Sequence, residues 1–570
     1  VGEACWWLKH ACLLRSCLIA VIFHDDFATH FTLNIMKKFG LLFLGVLLGT
    51  LLGVVLASRF LPRFSGGGSA REQVKKFESI LENAERNYVD GVQPEKLTEA
   101  AIKGLLNELD PHSVYIPASH KQREKEELYG SFEGIGIQFE IINDTITVVT
   151  PIIGGPSEKL GIRAGDKIVK IDSKNAIGLA DTAVIKRLKG EKGTQVTVSI
   201  KRGAMQDLVD FTITRDKIPI YSVSASFLIP NTDIGYISVN QFRATMFDEF
   251  VQAARKLRSE GMKRMILDLR GNPGGLLEQA FEMADAFIPD GKKIVYTKGR
   301  QAAFDDDYTA TGGGEFEDIP LIILIDAGSA SASEIVSGAV QDLDRGLIVG
   351  ETSFGKGLVQ RPYELPDGSS YRLTISRYYT PSGRSIQRDY KDAGKYRALQ
   401  GRTETDEGDN FEHKEKVDSA RPAFKTLGGR TVYGGGGIVP DYVVKSDTAT
   451  KLFIEIASKV LREFCDRYMN ENGDRLRKQY QNEFPSFLSG FTLNSDAIAM
   501  LRQMAEKRGV KWNDAQFATD ERIMKTYIKA QIARSIWNIN EKVMVDITTD
   551  KQVQKALQLF PEVQKLAKIK

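Results

Sequence analysis

The sequence predicts a multidomain α/β protein: a helical N-terminal region, a small β-rich domain, an α/β domain with a mostly parallel sheet, and a helical C-terminal extension. Three patterns predict it. Apolar residues fall at helical spacing over 71–109 and again after 446, they alternate with period two over 131–216, and between about 233 and 380 strands alternate with helices. A chain of 570 residues has room for about three or four such domains.

Met36-Lys37-Lys38 precedes an unbroken apolar run from Gly40 to Ala57. A basic segment before about 18 apolar residues reads as a secretion signal or a single membrane anchor, and both remain open. Lys37 and Lys38 would stay cytoplasmic, placing everything after residue 60 across the membrane. The expected location is therefore extracytoplasmic, in the periplasm or cell envelope, with residues 40–57 as the only membrane-associated part. Residues 1–35 then read as a non-native or mis-assigned preface to the segment 36–60.

Phe64 to Ala70 is a Gly/Ser linker, and the region 61–130 continues as helix. Val74, Phe77, Ile80 and Leu81 share one helical face, Leu97, Ile102, Leu105 and Leu106 another, and Asp110-Pro111 ends the pattern. Over 131–216 the strands Gly134–Ile141 and Thr145–Val149 flank an Asn143-Asp144 turn. Lys167–Ile171, Thr194–Ile200 and Phe211–Thr214 add further strands, with short helices near Ser157 and Thr182. Within 217–445, Arg264–Leu269, Leu321–Ile325 and Gly346–Val349 read as strands, and Leu276–Ile288 and Ala332–Leu343 as helices. Residues 300–318 and 388–432 read as loops. The extension 446–570 is helical, suited to dimerisation, to covering the neighbouring domain, to binding a partner protein, or to plain packing on the protein body.

Composition removes several functions. With 77 basic and 74 acidic residues the net charge is +3, which names no nucleic-acid partner. Only Cys465 lies beyond the first 35 residues, so no internal disulfide is available there. The remaining histidines, His112, His120 and His413, are scattered, which argues against a zinc site. The expectation is chemistry without metal or other cofactor, and without a histidine base.

Two strand-to-helix turns carry the candidate chemistry. In Asp326-Ala-Gly-Ser329-Ala-Ser331-Ala332-Ser333-Glu334, small residues open a helix whose N-terminus offers unpaired N–H groups. A serine here can be a nucleophile, yet Ser331 followed by Glu334 equally fits a capping box, and three serines compete. In Asp268-Leu-Arg-Gly-Asn-Pro-Gly274-Gly275, either glycine can present an oxyanion donor, or the turn is only a geometric necessity. For the base, His413 sits in the charge run Phe411-Glu-His-Lys-Glu-Lys416, whereas Lys356 is flanked by Gly355, Gly357 and apolar residues. A lysine becomes a base when burial lowers its pKa. Gln360, four positions on, can hold Lys356 by a hydrogen bond. The same stretch nearly spells a phosphate-binding loop, but Gly357 stands where the magnesium-binding Ser/Thr belongs.

Taken together, these stretches resemble the carboxyl-terminal processing peptidases, or tail-specific proteases. The matching residues are Asp110-Pro-His-Ser113-x-Tyr115, Gly134-Ile-Gly-Ile137, Arg163-Ala-Gly-Asp166, Asp268 to Gly275, Gly328 to Ile335, Thr352 to Gln360, Thr380 to Gln387 and Gly436 to Asp441. The resemblance spans roughly residues 70–445. It implies a PDZ domain at 131–216 ahead of a Ser/Lys protease domain at 217–445. The family's nucleophile is the middle serine of the run, 25 residues before the lysine, which selects Ser331. Lys356 becomes the general base, Gln360 its positioning residue, and Gly275 and Ala332 the oxyanion donors. Gly134, Ile135, Gly136 and Ile137 match the loop that binds a peptide's terminal carboxylate.

The function expected is therefore ATP-independent cleavage of proteins captured by an apolar C-terminal tail. An adaptor protein and a homo-oligomer stay open as partners. The rivals are a PDZ scaffold with an inactive protease domain and a nucleotide-dependent enzyme. The presence of Ser331, Lys356 and Gln360 weighs against the first, and Gly357 against the second.

Overall fold

From Ala70 the helical start is present as α1 (Ala70–Asn87) and α2 (Pro94–Asn107). The computed structural model describes residues 69–203, 205–391 and 421–568; the run 40–57 and His413 lie outside the described residues. The chain divides into two compact units between Leu97 and Thr98. In the first, the predicted apolar stripe of α1 is real, but Val74, Phe77 and Ile80 all stay exposed.

In the second unit a strand β1 (Val114–Ile116) leads into α3 (Ala118–Tyr129), which Gly130 ends in the left-handed region. The small β domain follows: β2 (Ser131–Gly134), β3 (Ile137–Ile142), β4 (Thr145–Pro151), α4 (Pro156–Lys159), β5 (Lys167–Ile171), β6 (Lys174–Asn175), α5 (Asp181–Leu188), β7 (Gln195–Lys201), β8 (Val209–Thr214) and β9 (Asp216–Pro219). Its antiparallel sheet runs β3-β4-β5-β7-β8, with β6 on β5, while β2 pairs with β9. Asn143 and Asp144 both have positive φ (48° and 57°), as a two-residue hairpin turn demands. Alternation turns Ile146, Val148, Ile168, Val198 and Ile200 inward, where Val184 of α5 closes the core. Strand β3 is left at an edge.

The larger domain contains β10 (Val223–Leu228), β11 (Ile234–Val239), α6 (Met246–Ser259), β12 (Arg264–Asp268), α7 (Leu277–Asp285), β13 (Lys293–Gly299), β14 (Asp307–Thr309), β15 (Leu321–Ile325), α8 (Ala332–Asp342), β16 (Gly346–Gly350), β17 (Leu358–Glu364), β18 (Ser370–Tyr379), β19 (Ala423–Lys425), β20 (Thr431–Tyr433) and β21 (Tyr442–Val443). One sheet, ordered β10-β11-β12-β15-β16-β21, is parallel throughout except for β10. Every residue of β15 is buried, which is why it reads as a continuous apolar run. A second, antiparallel sheet, β1-β18-β13-β14 with β17 on β18, was not foreseen. It corrects the loop reading of 300–318, which holds a short 3₁₀ turn at Ala302–Phe304 and β14. The described end of 388–432 likewise holds the hairpin β19–β20 rather than loop alone.

Seven helices are described in the extension: α9 (Lys451–Lys459), α10 (Leu461–Tyr480), α11 (Phe484–Gly490), α12 (Ser495–Lys507), α13 (Asp514–Ile536), α14 (Ile539–Asp546) and α15 (Lys551–Leu566). Those from α9 to α13 close around Phe464, Phe487, Leu501 and Ile528. Helix α15 does something different. Alternate residues of the parallel sheet (Met265, Leu267, Leu321, Ile323) face α6, α7 and α8, and their neighbours Ile266, Ile322 and Leu324 face Val553, Phe560 and Val563 of α15. The extension thus supplies the second face of the parallel sheet.

Candidate active site

The turns after β12 and β15 emerge side by side, because those two strands are adjacent and parallel. Ligand sites of open parallel sheets form at such carboxyl ends. The three serines differ in burial. Ser329 Oγ donates to Leu269 O at 2.8 Å and Ser333 Oγ to Asn272 O at 3.0 Å, and both residues are fully buried. Ser331 is only half-buried and sits at the α8 N-cap with φ 54° and ψ −110°. A positive φ at a non-glycine residue costs of order 1–3 kcal/mol, and such strain gathers at functional turns.

Gly274 presses against this serine and Gly275 against Phe242. A Cβ on Gly274 would lie 2.8 Å from Ser331 Cβ and 2.9 Å from Ala332 N; one on Gly275 (φ 154°) would lie 2.1 Å from Phe242 O. Only glycine permits that approach. The N–H groups of Gly275 and Ala332 have no acceptor among the described residues. They lie beside Ser331 as two unspent donors.

Glu334 organises the other side. Its buried carboxylate accepts from Ser331 N–H (2.8 Å), Lys356 N–H (2.9 Å), Gly355 N–H (2.7 Å) and the Ser353 hydroxyl (2.5 Å). Burial pushes its pKa up to about 7, opposed by these four donors. The Tyr378 hydroxyl meets the carbonyl oxygens of the same pair, Lys356 at 2.6 Å and Ser331 at 3.1 Å. Two residues far apart in sequence are thereby tied together through their backbones.

Burial lowers the Lys356 pKa from 10.5 to about 8, with the Arg372 guanidinium adding to the shift and Glu334 and Asp110 opposing it. A substantial neutral fraction near pH 8 follows. His112 also belongs to this neighbourhood: burial, then the Lys356 charge, brings its pKa down to about 4. Gln360 lies on β17, where its amide donates to Thr374 Oγ1 at 3.2 Å. No hydrogen bond joins it to Lys356 among the described residues. Thr374 N–H in turn donates to Ser113 Oγ, and that hydroxyl donates to Asp110 Oδ2 at 2.7 Å. Sequence reasoning missed Tyr378 and Arg372, which lie on β18 outside every motif it singled out. Glu334 was visible only as a helix cap.

The predicted carboxylate loop borders a cleft of about 400 Å³. Ile135, Ile137 and Phe139 line one side, and Ile185 and Leu188 of α5 the other. Gly136 has φ 72°, and the N–H groups of Ile135 and Gly136 have no acceptor among the described residues. Successive free amides of this kind can hold an anion. Lys189 and Glu126 of α3 form an ion pair at the cleft.

Comparison with known proteins finds matching families along the chain. Residues 233–392 match peptidase family S41, 134–213 a PDZ domain, 63–119 the N-terminal domain of the activating protease CtpB, and 454–538 a family of unknown function. A carboxy-terminal-processing protease of Bartonella bacilliformis is 40% identical over 320 residues, 55% of this chain and 73% of the relative. A CtpA-like serine protease of Staphylococcus aureus is 35% identical over 355 residues, 60% of this chain and 70% of that one. The photosystem II D1 C-terminal processing protease aligns at 30% identity, over 56% of this chain and 91% of that one, with a TM-score of 0.31. The chain is a serine peptidase with a PDZ domain. It belongs to peptidase family S41 and is a C-terminal processing protease.

Proposed function

We propose that the chain is a Ser/Lys-dyad endopeptidase that captures protein C-terminal tails in its PDZ cleft and cleaves them without ATP. The observation that carries the dyad is the shared anchoring of Ser331 and Lys356 by Glu334 and Tyr378. Neutral Lys356 takes the proton of Ser331 Oγ as that oxygen attacks the peptide carbonyl. The N–H groups of Gly275 and Ala332 receive the developing oxyanion. Lys356 then protonates the departing amine, and again serves as base when water hydrolyses the acyl-enzyme. Gln360 acts on this dyad at one remove, through Thr374, Ser113 and Asp110.

Tail capture is supported by the edge strand β3, the apolar cleft and the free amides of Ile135 and Gly136. An extracytoplasmic site of action, in the cell envelope, rests on the sequence of residues 36–60. The decisive experiment compares the wild type with Ser331→Ala and Lys356→Ala on an unstructured protein ending in an apolar tail. Both variants are expected to lose cleavage, with neither ATP nor a chelator affecting the wild type. Undiminished cleavage by both would remove the dyad.

A further inference from the structure

We infer that Asp550, at the start of α15, is a positioning residue for the oxyanion turn and acts through Arg270. The inference rests on Gly275 being an oxyanion donor.

Arg270 is the third residue of the segment Asp268–Gly275. Its Nε donates to both oxygens of Asp268 (2.9 and 3.0 Å) and its Nη2 to Asp268 Oδ2 (2.6 Å). The remaining arm, Nη1, reaches into the extension and donates to Asp550 Oδ2 (2.7 Å) and Gln552 Oε1 (2.8 Å). Asp550 Oδ1 meanwhile caps α15, accepting from Gln552 N at 2.9 Å and Val553 N at 3.2 Å. Gln552 is fixed in its turn, donating from Nε2 to Val444 O at 2.7 Å. The guanidinium is therefore held in one plane, by the sheet on one side and the α15 terminus on the other. Its side chain is 20% exposed and that of Asp550 22%, so solvent screens this pair only partly.

The turn beyond Arg270 has a second anchor. Gly271 N–H donates to Asp326 Oδ1 at 2.8 Å, and buried Asn272 donates from Nδ2 to Val239 O at 2.8 Å. Asn272 Oδ1 accepts Gly274 N–H at 2.9 Å, while its carbonyl accepts from Ala330 N and Ser333 Oγ, both at 3.0 Å. These bonds join the glycine turn to the serine turn. Arg270 fixes where the joined pair begins. A donor misplaced by about 1 Å costs on the order of 10²-fold in rate, so an anchor five residues from Gly275 can matter without touching substrate.

Asp550 also has a purely structural duty as helix cap, and the test must separate the two. Asn and Ser cap helices about as well as Asp, so Asp550→Asn and Asp550→Ser keep the cap and remove the charge from Arg270. The full chain is assayed on the unstructured, apolar-tailed protein for kcat, KM and Tm. Both variants are expected to lower kcat about tenfold with KM and Tm near wild type. Asp550→Asn added to Arg270→Lys should cost no more than Arg270→Lys alone. Unchanged kcat in both Asp550 variants overturns the inference, as does additivity in the double variant. A fall in kcat matched by an equal loss of folded protein also overturns it, leaving Asp550 a cap. Ser331→Ala run alongside separates the two readings. Its continued cleavage would sink the dyad, whereas its inactivity beside a fully active Asp550→Asn sinks only the role of Asp550.

Discussion

The backbone N–H groups of Ser331 and Lys356 donate to the same oxygen of Glu334, at 2.8 and 2.9 Å. The proposed nucleophile and base are thus registered by main chain, before either side chain contributes. Replacing Glu334 by Ala strands four donors, two of them in fully buried bonds, and a buried donor costs roughly 1–3 kcal/mol when left unsatisfied. Glu334→Ala is expected to lower stability by about 3 kcal/mol or more and to abolish cleavage, read by thermal melting and a peptide assay. Glu334→Gln keeps the volume but turns an NH₂ toward N–H donors. It should fold and lose activity on the order of 10²-fold. A fully active Glu334→Gln would show that this shared acceptor is not what sets the dyad.

Activity should rise with pH. Lys356 accepts a proton only when neutral, and its pKa is lowered to about 8, so kcat/KM climbs through that value and is lost on the acid side. Arg372 helps to lower that pKa, so Arg372→Ala should move the midpoint toward alkaline pH. A midpoint unmoved in that variant, or a flat profile from pH 6 to 9, would exclude Lys356 as the base.

Gly275→Ala tests the oxyanion turn. The added methyl would lie 2.1 Å from Phe242 O, and that oxygen already accepts Leu276 N–H at 2.9 Å. The turn must move, carrying a donor away from the serine. A drop in kcat of about 10²–10³ is expected, the usual cost of losing one oxyanion donor. Wild-type kcat in a folded Gly275→Ala protein would dismiss the assignment.

The sequence made much of this legible for identifiable reasons. Residues Leu321–Ile325 could only be a strand buried on both faces, and Asn143-Asp144 could only be a tight turn. The β1–β18 pairing escaped because Ile116 and Ser370 lie 254 residues apart, and no local pattern encodes it. Within the site, spacing pointed to Ser331 through a resemblance, and the structure adds only that Ser329 and Ser333 spend their hydroxyls on backbone carbonyls. Gln360 shows the opposite limit. Its offset from Lys356 suggested a direct bond, but the strand β17 turns its amide to Thr374. Asp550 was unreadable, since its link to Arg270 crosses 280 residues.

Tail capture has its own test, separable from catalysis. Ser331→Ala protein binds without turnover, so affinity is measured by fluorescence anisotropy on a peptide ending in apolar residues, once as the free acid and once as the amide. If the free N–H groups of Ile135 and Gly136 receive a carboxylate, as proposed, the amide should bind at least about tenfold more weakly. Gly136→Ala should weaken the acid toward the level of the amide. Its φ of 72° costs an L-residue roughly 1–2 kcal/mol, and the new methyl would meet Ile218 Cδ1 at 3.0 Å. Widening the floor by Ile137→Ala should reduce affinity for both peptides, because apolar contact does not depend on the carboxylate. Acid and amide bound equally well would mean that the cleft recognises apolar segments anywhere in a chain, and tail specificity would have to arise at the catalytic turn instead.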